Sequence, residues 1–354
     1  MPPRPPASQV APMPAHPPAL PNLGRRRLLA GLPLLATAAW LRPALADPWV
    51  AQQARALMGT RVEITIEGRD SATRGAALAA AWAEMERLAA QMSRYRPDNQ
   101  VRALQLAAGL QPVAVAPEML QVLKMARRVS EESRGAFDIT VGAFSGWGFD
   151  SSQTTIPSAA EIERQLAFVD YRDLLIDESR NTAYLRRRGM RIDLGGIAKL
   201  PILEAGMRVL RGYELAGAMV NGGGDVLVSG QLRGRDWRIG VRDPRAPQRL
   251  LGMLTLGDGV VAASGDYERC FVRDGRRYHH ILDPRSGQPS RGVRGVALLA
   301  PSVADLNGLG AALMVGGPAA APGLLAAHPE VDALIVAADA PPWQSTGMAR
   351  RLHV

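Results

Sequence analysis

From Ala218 to Gly230 the chain reads Ala-Met-Val-Asn-Gly-Gly-Gly-Asp-Val-Leu-Val-Ser-Gly, an apolar strand, a run of glycines and a second apolar strand. So short a connection can only join antiparallel neighbours, because parallel strands need a long crossover. Asp274-Gly275, set between apolar alternations, carries the same hairpin signal. Further strands are expected at Arg61-Val-Glu-Ile-Thr-Ile-Glu, from Trp237 to Pro244 and from Val331 to Ala337. Helices are expected from Ala72 to Met92 behind the capping pair Asp70-Ser71, from Pro117 to about Ser133, and from Val303 to Val315. Helices and hairpins interspersed in this way indicate an α+β fold with a mixed, largely antiparallel sheet and packed helices, and they argue against a doubly wound parallel sheet.

The first 46 residues stand apart from this pattern. A proline-rich stretch from Pro2 to Pro21 precedes Arg25-Arg26-Arg27, an apolar segment from Leu28 to Leu41, and Ala44-Leu45-Ala46. Basic region, short apolar core and A-x-A site together make a secretory signal peptide, cleaved after Ala46. The adjacent arginines suggest the twin-arginine translocase and a periplasmic destination. The apolar segment is too short to span a bilayer comfortably. Removing residues 1–46 removes five arginines and no acid, so the formal charge of +9 falls to +4. No long basic run remains and the few aromatics are not interleaved with arginine, which argues against nucleic-acid binding. Residues 47–354 carry no linker or internal repeat and are expected to form one large domain. Cys270 is the single cysteine, so no intramolecular disulfide forms; the alternation around it suggests a packed strand position. No C-x-x-C or clustered histidine suggests zinc.

The stretch richest in chemistry is Arg191-Ile192-Asp193-Leu194-Gly195-Gly196-Ile197-Ala198-Lys199. It places a carboxylate, a glycine pair and a lysine together, in a chain with two lysines and forty arginines. An ammonium is a compact point charge, unlike the planar guanidinium fork. Paired glycines let backbone N–H groups approach an anion. On its own the run also reads as a strand passing through a glycine turn into a helix.

Six separated motifs follow one another in a recognisable order. They are Met58-Gly59-Thr60; Met92-Ser93-Arg94-Tyr95-Arg96-Pro97-Asp98; Gly135-Ala136-Phe137-Asp138-Ile139-Thr140-Val141-Gly142 with Trp147-Gly148-Phe149; the Asp193 to Lys199 run; Val220-Asn221-Gly222-Gly223-Gly224-Asp225; and Ala263-Ser264-Gly265-Asp266-Tyr267, continuing to His279-His280-Ile281-Leu282-Asp283-Pro284 and Gly287. This set resembles the ApbE family, the FAD:protein FMN transferases, from about Ala56 to Gly317. The resemblance implies an ApbE-like domain that splits FAD at its pyrophosphate, moves FMN to a threonine or serine of an acceptor flavoprotein and releases AMP. It implies that Met58, Tyr95, Ala136, Phe137, Asp138, Asp193, Lys199 and Ile281 bind FAD, with His280 and Asp193 in catalysis.

These residue types suit those roles. Tyr95 can stack on a ring, Lys199 can offset pyrophosphate charge, and His280 can accept a hydroxyl proton near neutral pH. Each also has an ordinary reading: a core tyrosine, a surface ion pair, a hydrogen-bonded core histidine. Asp225 reads as much as a turn residue as a ligand, and Trp147-Gly148-Phe149 reads as core.

The metal positions depart from the family. Relatives carry a magnesium carboxylate on a late helix and a threonine four residues later; aligning the apolar ends puts Asn307 and Ala311 there. The alternative register uses Asp305 but sets Leu309 at the threonine. The third ligand, a backbone carbonyl near Gly196, survives any substitution. Magnesium prefers anionic oxygen, so this Mg2+ site is expected to be weakened. Smaller departures are Leu200 where glycine is usual, Asn99 and Ala103 where serine is frequent, and Cys270 in place of an aromatic. The leading expectation is a periplasmic transferase acting on an exported or membrane flavoprotein. The alternatives are an FAD-binding carrier or scaffold without transfer, and an FAD pyrophosphatase giving FMN and AMP.

Overall fold

Eight strands pair in the order in which the chain makes them, each antiparallel to its neighbours: Val50–Leu57, Thr60–Glu67, Gly217–Gly222, Asp225–Gly230, Gly259–Gly265, Val293–Ala300, Asp332–Ala337 and Trp343–Gln344. The structure, a computed structural model, describes residues 49–94, 96–150 and 153–353. The expected signal segment and Tyr95 lie outside the described residues.

Alternation along the strands divides the sheet between two cores. Leu227, Val260 and Leu298 face the larger one, with Val62, Ile64, Ile66 and the helices Ser71–Met92, Pro117–Glu132 and Lys199–Arg211. Their neighbours Val226, Val228, Val261 and Leu299 face the smaller one, closed by the ribbon Trp237–Arg242 and Leu250–Leu256 and by Met348. This is the α+β architecture that the hairpins foretold.

Three two-residue turns that join strands of the described fold have positive φ at both turn residues. They are Met58-Gly59 (54° and 73°), Gly223-Gly224 (63° and 96°) and Asp274-Gly275 (51° and 70°). Positive φ at both positions matches the turn to the twist of its strands. Ser71–Met92 starts where expected, with the Asp70 carboxylate accepting the Thr73 N–H at 2.6 Å. Asn99 caps the helix Gln100–Leu106 by accepting the Arg102 N–H at 3.0 Å, so asparagine does what serine would do there.

The helix expected from Val303 to Val315 is two helices. Val303–Leu306 opens with a Ser302–Asp305 capping box and stops at Asn307, whose backbone is extended. Gly308, at φ 83°, turns the chain into Leu309–Leu325, which kinks at Gly317 just before Pro318. The apolar periodicity runs through the break, while the turn itself needs only Asn-Gly.

Cys270 begins the strand Cys270–Arg273, half-buried, with its Sγ 3.6 Å from the Tyr267 carbonyl; burial pushes the thiol up. The Trp147 and Phe149 rings stack at 5.6 Å and join Phe271 and Tyr278 in a half-buried cluster rather than the deep core.

Candidate active site

Three strand ends, one helix start and one helix break meet around a cavity of about 990 Å³. The Met58-Gly59 and Gly223-Gly224 turns and the end of Gly259–Gly265 bring the sheet to it. Gly195 to Lys199 lead into the helix Lys199–Arg211 along one wall. Asn307, Gly308, Gly310 and Ala311 form another, and no side chain caps the Leu309–Leu325 N-terminus. A cavity of this size suits a large cofactor-like ligand.

Of the residues singled out from sequence, Met58, Gly196, Lys199, His280, Ile281, Asn307 and Ala311 line the cavity. Met58 holds a left-handed conformation rarely adopted by a long side chain, and such strain gathers at binding sites. Asp193 stands beside the lining. It pairs with Arg94, which does line the cavity, and accepts the Gly195 N–H at 2.8 Å. Ala136, Phe137 and Asp138 are buried and do not line it. Phe137 packs beneath the glycine pair, 3.3 Å from where a Cβ on Gly196 would sit. Asp138 accepts the Thr140 N–H (2.7 Å) and hydroxyl (2.6 Å) and the Tyr171 N–H (2.8 Å), while burial holds its carboxyl above the usual range. It ties its own turn to Tyr171, and the adjacent Ile139 carbonyl accepts the Asp193 N–H at 2.7 Å.

Adjacent histidines have separate tasks. His279 is buried, donates from Nε2 to the Ser290 carbonyl at 2.8 Å, and its Nδ1 accepts the Ile281 N–H at 3.4 Å. His280 reaches the cavity wall, and its Nδ1 has no hydrogen-bond partner. Burial first, then the nearby Arg269, His279 and Lys199, hold its pKa down to about 4, so its ring is neutral at pH 7.

Lys199 Nζ lies 2.7 Å from Asp225 Oδ2, and Asp225 also accepts the Ala263 N–H at 3.0 Å. Among the charged cavity residues outside the predicted site are Arg94, Arg269 and Asp225, the last of which the sequence read as much as a turn residue as a ligand. For two of them a signal was present: Arg94 adjoins Tyr95 in its motif, and Asp225 closes the glycine run.

The magnesium positions do not fit a hard divalent cation. Asn307 is buried and its amide donates to the Ile197 carbonyl at 2.7 Å; Ala311 has no oxygen. Among the described residues no group of three or more His, Cys, Asp or Glu side chains is placed to hold a metal.

The ApbE family model matches residues 58–335. A FAD:protein FMN transferase of Treponema pallidum (strain Nichols) is 30% identical over 320 residues, which is 85% of this chain and 88% of that protein. One from Klebsiella pneumoniae (strain 342) is 37% identical over 196 residues, 55% of this chain and 60% of that protein. The crystal structure of the ApbE protein from Thermotoga maritima superposes with a TM-score of 0.78 at 31% identity, covering 86% of this chain and all 100% of its own. The flavin transferase ApbE from Vibrio cholerae gives 0.76 at 27% identity, covering 86% and 99%.

Proposed function

Because the chain belongs to the ApbE family, we propose that it is an FAD:protein FMN transferase that modifies a threonine or serine of an exported or membrane flavoprotein. The observation that carries this reading is convergence. Met58, Gly196, Lys199, His280 and Ile281, spread along the chain, meet in one cavity of about 990 Å³.

In this reaction the acceptor hydroxyl oxygen attacks the phosphorus on the FMN side of FAD. The bond to the AMP phosphate breaks, AMP leaves with that electron pair, and the hydroxyl proton passes to the neutral imidazole of His280. Lys199 offsets pyrophosphate charge, and Arg94 and Asp193 fix one another beside it. Magnesium, which the family uses, enters no step here, because Asn307 and Ala311 offer it no anionic oxygen. Turnover below that of a relative with aspartate and threonine at these positions belongs to the same reading. So do export by the twin-arginine route and work in the periplasm, for which Arg25 to Ala46 is the support.

The test is intact-mass spectrometry of a threonine-bearing acceptor domain after incubation with the mature protein, FAD and magnesium. An added FMN with AMP released is the expected result. An unmodified acceptor beside an active control transferase overturns it, and the nucleotides then choose between carrier and pyrophosphatase. Intact FAD marks a carrier, and FMN with AMP marks a hydrolase.

A further inference from the structure

We infer that this chain holds the pyrophosphate of FAD without a resident divalent cation, because the Asn307 amide closes with a hydrogen bond the gap that a carboxylate there could close only around a cation. The inference rests on the flavin-transferase reading.

Asn307 ends the short helix Val303–Leu306 and is 2% exposed. Its Nδ2 faces two acceptors, the Ile197 carbonyl at 2.7 Å and Met125 Sδ at 2.8 Å. The carbonyl takes only a donor, and the sulfur is a weak acceptor, which sets the amide with its nitrogen towards the glycine motif. An aspartate in the same rotamer would set a carboxylate oxygen against the Ile197 carbonyl oxygen. Two buried oxygens at that separation repel unless a proton or a cation lies between them. Amide and cation are therefore alternative occupants of one gap, and here the amide has it.

The surroundings agree. Ala311, one turn on, lies 3.9 Å from where a Cβ on Gly196 would sit, a contact with no oxygen in it. Carboxylates around the cavity are already neutralised by cations. Asp225 pairs with Lys199, Asp193 with Arg94, Glu86 with Arg55 at 2.7 Å, and Glu268 faces Arg242 at 3.8 Å. Asp305, the remaining acid of the late segment, closes the Ser302 capping box. Magnesium in nucleotide sites is bound through one or two carboxylates together with substrate phosphates. Among the described residues no unpaired carboxylate of the cavity is left for that duty, while Lys199, Arg94 and Arg96, though ion-paired, keep further N–H donors on the cavity wall for phosphate oxygens.

The experiment is an FAD titration of the mature protein by flavin fluorescence, in magnesium chloride and in EDTA, with the melting temperature read under both conditions without FAD. The wild-type dissociation constant and melting temperature are expected to be the same in the two. Asn307→Asp combined with Ala311→Thr is expected to acquire a magnesium-raised melting temperature and an FAD affinity that magnesium tightens about tenfold. Wild-type affinity that magnesium tightens about tenfold, or one magnesium per chain retained through dialysis, overturns the inference while leaving the transferase reading intact. Absence of FAD binding in both conditions overturns that reading and the inference with it. The wild-type comparison decides the matter even where the double variant does not fold.

Discussion

Burial, together with Arg269, His279 and Lys199, keeps His280 uncharged through the range in which an exposed histidine gains its proton. Two consequences share one sign. Between its ordinary pKa near 6.5 and its folded value of about 4, the unfolded chain binds a proton that the folded chain refuses. Stability therefore falls as pH drops through that window and is fully present above it. His279 is lowered in the same direction. His280→Gln should flatten the loss of melting temperature on acidification, measured by thermal denaturation at closely spaced pH values. In the wild type, the acid limb of kcat/KM should lie below pH 6, since that parameter reports the free enzyme; a limb at the usual histidine position would contradict a buried, neutral base. The choice of His280 over His279 was legible only through family resemblance. What decides it physically is the end of the strand Arg276–His279, where His279 turns inward to Ser290 and His280, the first residue beyond it, reaches the wall. Asp138 shows the reverse. A carboxylate in a motif reads as a ligand, and nothing local reveals that three N–H and O–H donors will claim it.

Among the elements, the turns were the most legible and the late helix the least. Gly223-Gly224 and Asp274-Gly275 announce their hairpins because positive φ selects those residues. The Met58-Gly59 turn has the same geometry with methionine in the unfavourable position. Met58→Asn should thus raise stability, by about 1 kcal/mol if the left-handed strain is relieved, and weaken FAD binding through loss of the long side chain. Denaturant unfolding and flavin titration on one sample would check both halves; unchanged FAD affinity would place the methionine outside the flavin site. The break at Asn307-Gly308 escaped notice because hydrophobic spacing continues across it, and the spacing reports burial rather than backbone continuity. That break is also what swings Asn307 against Ile197.

For the molecule as a whole, the α+β class followed from the hairpins, but the meeting of distant segments at one end of the sheet did not, because no local pattern encodes which strand ends become neighbours. The described fold opens at the edge strand Val50–Leu57, just past the expected cleavage point. That residues 1–46 are an address is a proposal that stands on the sequence from Arg25 to Ala46 alone, and a fold dependent on contacts so distant in sequence suits a route that carries folded proteins. Arg25→Lys with Arg26→Lys should leave uncleaved precursor in the cytoplasm, seen by fractionation and size; unaltered processing would point instead to the general secretory route.

The Thr60–Glu67 strand has a partner that arrives late. Glu67 pairs with Gly217, so the chain between them must be made before the edge is covered. At ordinary synthesis speeds, that wait is roughly ten to thirty seconds. Val62, Ile64 and Ile66, wholly buried at the end, spend it on a ribosome-bound chain with one side of their strand open. Nascent molecules on the same messenger carry that exposed edge at the same time. The yield of this protein will therefore depend on how fast it is translated and on chaperones that cover the edge, as much as on its final stability.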